Sequence, residues 1–446
     1  MAVTLMSWAQ LMSPLRFDDP DGEPICPDTA DPYRSDFHID YDRLVFSHAF
    51  RRLGRKTQVH PLAQHDHTHN RLTHSMEVSS VGRSLGRTAA GLLAQAGQLP
   101  PDTDINDFGI VVQVACLAHD LGNPPFGHVG EEALRDWFRQ PEHAVYLDGL
   151  SAAERRDIQT YEGNAHSLRQ TARLEMYRNR GGMRLTAAAS GSLLKYPWTS
   201  SHANAAKGKF NIYQSELPFA RRIAAALGLP EQSPDCWARH PLSYLMEAAD
   251  DICYALMDLE DAIDLELLGY DEVAATLSAL VPRQHDSCSR SRREHAAMMR
   301  GRAIGAAVDE AARTFMHYQP QLLNGELPAK DLISLCSAPV RDTLDAAKDL
   351  ARRRVFRHRS KVVHSIAAFP CLGLLLDTLI PAAHNLSVSG SLSPRQSLAL
   401  SLLDDEPLTA QDTPYTAYMK VLDFVGGMTD NHAARLAREL SGFGMA

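Results

Sequence analysis

The chain has 446 residues, of which 44% are hydrophobic and 22% charged, the balance of an ordinary globular protein with room for one large domain or two to three smaller ones. A formal net charge of −9 argues against a general electrostatic affinity for nucleic acid or anionic lipid, so any polyanion must meet a local basic pocket. The seven cysteines are scattered without a C-x-x-C pair, which predicts reduced thiols and a cytoplasmic location.

The N-terminal part of the chain predicts no regular structure. Residues 1 to about 36 are rich in Pro and Asp and have neither a basic nor a continuous apolar leader, so we expect an irregular arm and no signal peptide. Helical spacing begins near residue 40. In residues 71–97 one face of the predicted helix carries Leu72, Met76, Val81, Leu85, Ala89 and Leu92.

The next run, DFGIVVQVACLAHDLG, is almost wholly apolar. It has Asp107 as a candidate N-cap and Gly122 at the C-cap, and we expect the helix between them to be buried on all sides. Further along, PLSYLMEAADDICYALMDLEDAIDLELLGY predicts a long amphipathic helix from Pro241 to Gly269.

Two regions interrupt this helical pattern. Residues 181–216 mix Gly, Ser and Lys and predict an irregular or β-hairpin excursion, and residues 383–413 predict a helix broken by loops. The best apolar run, CLGLLLDTLI, is short and contains Asp377, so no membrane span is expected. Without sustained strand alternation, the sequence predicts an all-α fold in one compact unit over 1–446: an arm at 1–40, a core at 41–270 and C-terminal helices at 271–446 packed on it.

The stretch CLAHDLGNPPFGHVGEEAL, residues 116–134, ends an apolar helix on His119 and Asp120. Neighbours on a helix point about 100° apart, but both can reach one cation beyond the last turn. An imidazole nitrogen with carboxylate oxygens suits Mn²⁺, Fe²⁺, Co²⁺ or Zn²⁺, and Mg²⁺ less well. His74 and Asp250 are candidate further ligands, because an unpaired charge in their apolar helices would cost several kcal/mol. Alone, each His is better explained as a hydrogen-bonded core histidine; the ordered set favours a shared metal.

Five segments together resemble the bacterial deoxynucleoside triphosphate triphosphohydrolases (dGTPase-like proteins) of the HD superfamily: RLTHSMEV, HDLGNPPFGH, YEGNAHSLR, LLKYP and ADDICYALMDLEDA. The resemblance runs from FRRLGRKTQV at 50–59 through Asp261, with a weaker echo at ARRRVFRHRSKVV, and covers about half of the chain directly. It implies an HD-type catalytic core over 41–270, one divalent metal ion per subunit (Mg, Mn, Fe, Co, Ni or Zn) and a homo-oligomer such as a hexamer.

The resemblance also implies roles for individual residues. The family's metal ligands fall on His74, His119, Asp120 and Asp250. Its catalytic pair falls on His128 and Glu131. Its phosphate contacts fall on Arg71, Lys195, Tyr196, Tyr254 and Asp258, the last through water or the sugar. Its pair along the deoxyribose and base falls on Gln58 and Val59. The spacing agrees in part, since Asp250, Tyr254 and Asp258 share one helical stripe.

The chain departs from the family in the C-terminal echo, where His358-Arg359 replaces a His-Pro pair and Phe356 lacks a tyrosine hydroxyl. The six basic residues at 352–361 are either a solvated helix face or a contact for phosphate or a regulatory nucleotide. The histidines of HPLAQHDHTHN suggest a second metal site, but only Asp66 accompanies them and the spacing favours a loop.

Three functions compete at this point. The first is hydrolysis of dNTPs to a deoxynucleoside and inorganic triphosphate, with the dNTP substrate as the principal partner. The second is another HD phosphohydrolase, a nucleoside 5′-monophosphatase or phosphodiesterase, which would not need LLKYP or GNAHS. The third is a nucleotide-sensing or single-stranded-DNA-binding protein with a structural HD site; the complete ligand set and the net acidity argue against it. A regulatory dNTP or single-stranded DNA remains a candidate partner of the enzyme, and no membrane is expected.

Overall fold

The computed structural model describes residues 5–18, 22, 24, 25, 31, 33–58, 69–281, 292–354, 359–403 and 406–442. Within them the fold is all-α, as predicted. The helices are α1 (Trp8–Leu11), α2 (Asp36–Val45), α3 (His48–Arg52), α4 (Arg71–Gln95), α5 (Ile105–Ala118), α6 (His128–Arg139), α7 (Ala152–Gln159), α8 (Gly163–Arg169), α9 (Ala187–Leu193), α10 (Leu217–Leu227), α11 (Pro241–Asp264), α12 (Tyr270–Leu277), α13 (Arg292–His317), α14 (Gln319–Asn324), α15 (Ala338–Arg354), α16 (Arg359–Ser389), α17 (Pro394–Leu400), α18 (Pro414–Gly427) and α19 (Asp430–Leu440). Two short antiparallel strand pairs accompany them, β1 (Arg16–Phe17) with β2 (Pro24–Ile25) and β3 (Glu231–Ser233) with β4 (Cys236–Trp237).

Helix α5 is the central helix of the first core, and every residue from Phe108 to Ala118 is buried, as the apolar run predicts. Its predicted ends are wrong. Asp104 is the N-cap, since its backbone is extended and its carboxylate accepts the Asn106 N–H at 2.7 Å. Asp107 lies inside the first turn instead, and the helix ends at Ala118 with His119 as the C-cap rather than at Gly122.

Helix α4 packs against α5 over a broader face than its predicted stripe. Met76, on the predicted apolar face, is 56% exposed, whereas Val78, outside the predicted stripe, is fully buried. Two glycines let the helices come close: a Cβ on Gly86 would lie 2.8 Å from the Phe108 carbonyl oxygen, and one on Gly82 would lie 2.4 Å from Cys116 Sγ. Small residues on the contact face therefore widen the buried surface beyond what the large side chains indicate.

Helix α11 begins at Pro241 as predicted but ends earlier than expected. It stops at Asp264, Leu265 is the C-cap, and Glu266 takes a left-handed φ of +56°. Gly269 has another role, as the N-cap of α12. The chain therefore turns before the glycine that seemed to end the helix.

The predicted excursion at 181–216 is irregular, with α9 as its one α-helix, and this fully described stretch contains no hairpin. Isolated bridges join Thr199 to Ile212 and Trp198 to Cys236. The later region is a set of helices separated by loops, as predicted, with α16 ending at Ser389 and α18 beginning at Pro414. The described residues of the N-terminal arm include α1 and the β1–β2 pair, and they pack on the core, where the Trp8 ring lies 5.1 Å from that of Phe108.

A second core cluster includes residues of α6, α16, α18 and α19. Helix α16 contains the one described segment, Lys361–Ser389, that is long and apolar enough to cross a membrane by length and composition. Leu372, Leu376 and Leu379 of this segment are fully buried in the cluster, as in the core helix of a globular protein. The first cluster draws residues from both sides of residue 270, and the division of the chain there stays a prediction.

Candidate metal centre and active site

The end of α5 presents His119 in one defined orientation. Its ring Nδ1 lies 2.5 Å from the Cys116 carbonyl oxygen, so Nδ1 donates the hydrogen bond and carries the proton. The lone pair of Nε2 is left free, 3.6 Å from Asp120 Oδ1 and 3.7 Å from Asp250 Oδ1. A metal-ligating histidine with its second nitrogen bonded to a carbonyl has this arrangement.

His74 and Asp250 reach the same point from two other helices. His74 Nε2, on α4, lies 3.2 Å from Asp250 Oδ1, on α11, and the rings of His74 and His119 are 5.6 Å apart. One ligand atom each from His74, His119 and Asp120 falls within 4.8 Å of the others. The structure thus brings together all four residues predicted as metal ligands. Two imidazole nitrogens and two carboxylates are a donor set that fits a divalent transition ion.

Both carboxylates of this cluster are held in the ionised form. Burial opposes ionisation, but Arg71 and then His119 lower the pKa of Asp120 to about 2. Burial likewise opposes ionisation of Asp250, yet its pKa lies well below the usual range, chiefly because of His119 and His74. Arg71 Nη1 donates to Asp120 Oδ2 at 2.6 Å, and the Asn123 side-chain amide donates to Asp120 Oδ1.

The predicted catalytic pair lies at the start of α6. Gly127, with a left-handed φ of +60°, turns the chain so that the helix begins on His128. His128 Nδ1 lies 3.2 Å from Glu131 Oε2, and the His128 side chain is 78% exposed whereas that of Glu131 is 3% exposed. Burial would raise the pKa of Glu131, but the His128 hydrogen bond and the charges of Lys209, His128 and Arg135 lower it to about 2. A buried anion therefore orients an exposed imidazole.

Lys195, predicted to contact phosphate, is fixed by an ion pair that the sequence analysis missed. Its Nζ lies 3.1 Å from Glu247 Oε1, and Arg239 Nη1 binds the other oxygen of Glu247 at 2.6 Å. Burial opposes the charge of Lys195, but Glu247 raises its pKa above the ordinary lysine value. Glu247 lies one turn before Asp250, and this i, i+3 spacing was the signal available in the sequence. Tyr196 is adjacent, with Lys195 Nζ 5.6 Å from its ring centre.

Two of the residues predicted to contact the sugar, base or phosphates of the substrate have a buried polar atom that hydrogen-bonds to no described residue. Gln58 Oε1 and Asp258 Oδ2 are buried without a hydrogen-bond partner among the described residues. Burial raises the pKa of Asp258 to about 7. Tyr254, one turn before Asp258, is half-buried, and Val59 lies outside the described residues. Unpaired buried acceptors of this kind are costly unless a ligand or water donates to them.

The basic segment divides into two parts. Arg352 and Arg354 form surface ion pairs with Asp349 and Glu272, which fits a solvated face, whereas 355–358 lie outside the described residues. Lys361 is half-buried instead; burial lowers its pKa to about 8, and the charges of Asp258 and Arg71 also act on it. Lys361 therefore faces the predicted substrate region from α16.

The predicted second metal site falls mostly on residues outside the description, namely His60, His65 and His67. The fourth histidine, His69, has other partners: Nδ1 lies 2.5 Å from Asp261 Oδ1 and Nε2 lies 3.0 Å from Glu77 Oε1. Asp251, the neighbour of Asp250 that was not predicted as a ligand, is paired with Lys348 at 2.7 Å.

Comparison with known proteins extends the resemblance over nearly the whole chain. A family model described as HD domain matches residues 71–184. A deoxyguanosinetriphosphate triphosphohydrolase-like protein of Pseudomonas aeruginosa (strain LESB58) is 47% identical over 92% of this chain and 94% of its own. A protein of the same description from Synechocystis sp. is 35% identical over 92% of this chain and 95% of its own. The deoxyguanosinetriphosphate triphosphohydrolase of Cronobacter sakazakii is 28% identical over 89% and 92%.

Proposed function

The chain belongs to the family of deoxyguanosinetriphosphate triphosphohydrolase-like HD proteins, and from that premise we propose that it hydrolyses dNTPs, dGTP among them, to a deoxynucleoside and inorganic triphosphate. That it is a phosphohydrolase follows from the family itself. One observation carries the finer proposal: His119 and Asp120 of the metal cluster lie on the α5–α6 connection that leads directly to the His128–Glu131 pair. Two cations lie beside the same cluster, since Arg71 binds Asp120 and Lys195 binds Glu247, one turn before Asp250.

The four clustered residues would hold one divalent metal ion per subunit, Mg²⁺, Mn²⁺ or another transition ion such as Fe²⁺, Co²⁺, Ni²⁺ or Zn²⁺. Such an ion, when bound, polarises a phosphate oxygen and makes water more acidic. The protein's contribution to its binding is pre-organisation: His119 is fixed by the Cys116 carbonyl, and Asp120 by Arg71 and Asn123.

The cationic residues would neutralise the triphosphate. Arg71 and Lys195 each carry a charge that is already paired with a carboxylate, so their positions are fixed before the substrate arrives. Positive charge placed in advance on the transferring and leaving phosphates is the largest contribution expected for phosphoryl transfer. Tyr196, whose ring centre lies 5.6 Å from Lys195 Nζ, would add a hydroxyl contact to the phosphates.

His128 would move the proton. Because Glu131 accepts from Nδ1, the neutral ring has its free lone pair on Nε2, on an exposed side chain that can meet water and substrate. Nε2 can take a proton from the attacking water and return it to the O5′ of the leaving deoxynucleoside. The bond that breaks is the one between the α-phosphorus and O5′.

Gln58 and Val59 would lie along the deoxyribose and base, and Tyr254 and Asp258 would contact the phosphates, Asp258 through water or the sugar. Since Gln58 and Asp258 each hold a buried unpaired oxygen, a sugar hydroxyl or base N–H that donates to them would remove an unfavourable desolvation. A 2′-hydroxyl enclosed against Tyr254 without a partner would cost roughly 1–3 kcal/mol, so ribonucleotides should be poorer substrates.

Product analysis tests the proposal directly. A panel of the four dNTPs, alone and in mixtures, should yield a free deoxynucleoside and intact triphosphate, with no dNDP or dNMP. In ¹⁸O-water the label should appear on a terminal phosphorus of the triphosphate, the former α-phosphorus. Label on orthophosphate, or dNMP with pyrophosphate, would contradict the proposal and favour another HD phosphohydrolase. The mixtures also test activation by a regulatory dNTP, and added single-stranded DNA tests that partner.

We further propose that the chain forms a symmetric homo-oligomer, such as a hexamer, in the cytoplasm, and that α16 lies at the interface between its copies. Its first half exposes a row of apolar side chains, Val362, Val363, Ile366 and Phe369, at 40–66% exposure. Such a row on a helix face favours an interface between copies.

Ile366→Glu should therefore reduce the mass measured by light scattering at micromolar concentration to that of smaller species. Leu398→Glu, a matched change at a side chain that is 72% exposed outside this row, should leave the mass unchanged. A wild type that is strictly monomeric with full activity would remove the oligomer proposal.

A further inference from the structure

Two buried carboxylates lie side by side behind His128. Glu131 is 2% exposed, and Glu162, the N-cap of α8, is fully buried. The Arg135 guanidinium lies between them, with Nη2 3.5 Å from Glu131 Oε2 and 3.1 Å from Glu162 Oε2. Lys209 supplies a second cation, with Nζ 3.0 Å from Glu162 Oε2. The cluster thus holds two negative and two positive charges.

Without these cations the two carboxylates would not both stay ionised. Buried like charges at short range disfavour each other's ionised form, and burial adds to the effect. Burial and then the charge of Glu131 raise the pKa of Glu162. Glu131 shows the opposite direction, because the charges of Lys209 and Arg135 add to the hydrogen bond from His128. The cations therefore let Glu131 remain the anion that accepts from the His128 ring.

The backbone around Glu162 supports the same pair. The Gly163 N–H donates to Glu131 Oε1 at 2.9 Å, which fixes the oxygen that His128 does not use. A Cβ on Gly163 would lie 2.8 Å from Glu131 Oε1 and 2.3 Å from Asn123 Oδ1, so only glycine allows this approach. Position 163 therefore adjoins both Glu131 and the amide that holds Asp120.

Lys209 connects this cluster to the 181–216 excursion. Two residues later Asn211 accepts the Tyr196 N–H at 2.7 Å and donates to the Asn164 carbonyl oxygen at 3.0 Å. Among the described residues, the cluster is also faced by Glu132, which Arg135 Nη1 binds, and by the phenols of Tyr161, Tyr196 and Tyr213, the last of which accepts the Glu162 N–H at 3.1 Å. The excursion thus supplies one of the two cations that act on Glu131.

We propose that Glu162 and Lys209 are positioning residues of the His128–Glu131 pair: Glu162 anchors Arg135 and Lys209 beside Glu131, and the two cations keep Glu131 an anion that orients His128. The proposal rests on the proposed catalytic role of that pair. It assigns a function to the first part of YEGNAHSLR and to a lysine of the excursion, neither of which touches the candidate metal ligands.

Changes to a cation and to its anchor test it. In Lys209→Met, loss of a cation should strengthen proton binding by the His128–Glu131 pair, so the acid limb of the kcat–pH profile should move up by roughly half a unit to one unit. In Glu162→Gln, Arg135 and Lys209 lose the carboxylate that anchors them beside Glu131, so the limb should also move up, but by less, because the repulsion between the two carboxylates is removed as well. Lys209→Arg should restore the wild-type profile, and Lys207→Met, an exposed neighbouring lysine, is the matched control with no shift.

Metal content, thermal stability and KM are measured beside each profile, with KM expected within about twofold of wild type. A lower kcat at every pH without a limb shift, or a raised KM with the limb unchanged, would overturn the proposal in favour of a structural or a substrate-binding role. If Glu162→Gln does not fold, the proposal is tested by the Lys209 variants alone, because the Lys209 side chain is partly exposed and its replacement costs little packing. Should the wild type release a product other than triphosphate, the proposed function fails, but the limb shifts measured on that product still test the cluster.

Discussion

Asp250→Asn should lose bound metal and nearly all turnover, whereas Asp251→Asn should keep both. Asp250 Oδ1 lies 3.2 Å from His74 Nε2 and 3.7 Å from His119 Nε2, so its negative charge belongs to the ligand cluster. An amide is a weaker ligand, and removing one of four ligands weakens a site sharply. Asp251, next to it on α11, points to Lys348 instead, at 2.7 Å.

The pair of variants controls for helix position and for the loss of a carboxylate. Metal per chain is measured by mass spectrometry after reconstitution and desalting, dNTP hydrolysis on the same samples, and circular dichroism on both. Stoichiometric metal and normal turnover in Asp250→Asn would show that the ligand assignment is wrong. Equal metal loss in both variants would assign the effect to α11 rather than to the ligand.

The metal cluster was predictable because its chemistry conflicts with its surroundings. His74 and Asp250 lie in helices whose buried faces are largely apolar, and His119 caps the almost wholly apolar α5, so a shared cation would compensate the buried charge. The ordered H…HD…D pattern is also typical of the HD family. The sequence therefore predicted which residues meet, and the helices α4, α5 and α11 bring them together.

Helix ends were less predictable, because competing caps look alike in a sequence. Asp104 and Asp107 are both acceptable N-caps of α5, and packing selects the first while the second accepts from the Ser35 hydroxyl. Gly269 is the expected end of α11, but the chain already turns at Glu266, which adopts a left-handed φ that glycine adopts more easily. Such choices depend on tertiary contacts rather than on local pattern.

The supporting charges were also missed, because their partners are distant in sequence. Lys209 binds Glu162 across 47 residues, and Arg135 binds Glu162 across 27, so no spacing rule connects them. Glu247 and Asp250 share a helix face and could have been linked, but nothing local shows that Lys195 meets Glu247. Buried ion pairs between elements become visible only when the fold places the charges together.

His128→Ala should keep the fold and the metal but lose turnover by roughly 10²- to 10⁴-fold, the expected effect of removing a general acid–base group. Its side chain is 78% exposed and contacts Glu131 alone among the described ion pairs, so little packing is lost. Glu131→Gln should give a smaller loss of the same kind, because the amide no longer holds the ring as an anion does. Asp136→Asn, at an exposed carboxylate of the same helix that forms no ion pair with Arg135 in the described structure, is the matched control and should turn over normally.

The measurement is single-turnover dNTP hydrolysis with metal content and circular dichroism on each variant, so that chemistry is separated from binding and folding. Metal lost from His128→Ala would make His128 a ligand instead of a proton carrier. Full turnover in that variant would show that His128 takes no part in the reaction. The expected order is that His128→Ala loses most turnover, Glu131→Gln less and Asp136→Asn none, because in the proposed mechanism Glu131 acts through the His128 ring, whose Nδ1 lies 3.2 Å from Glu131 Oε2.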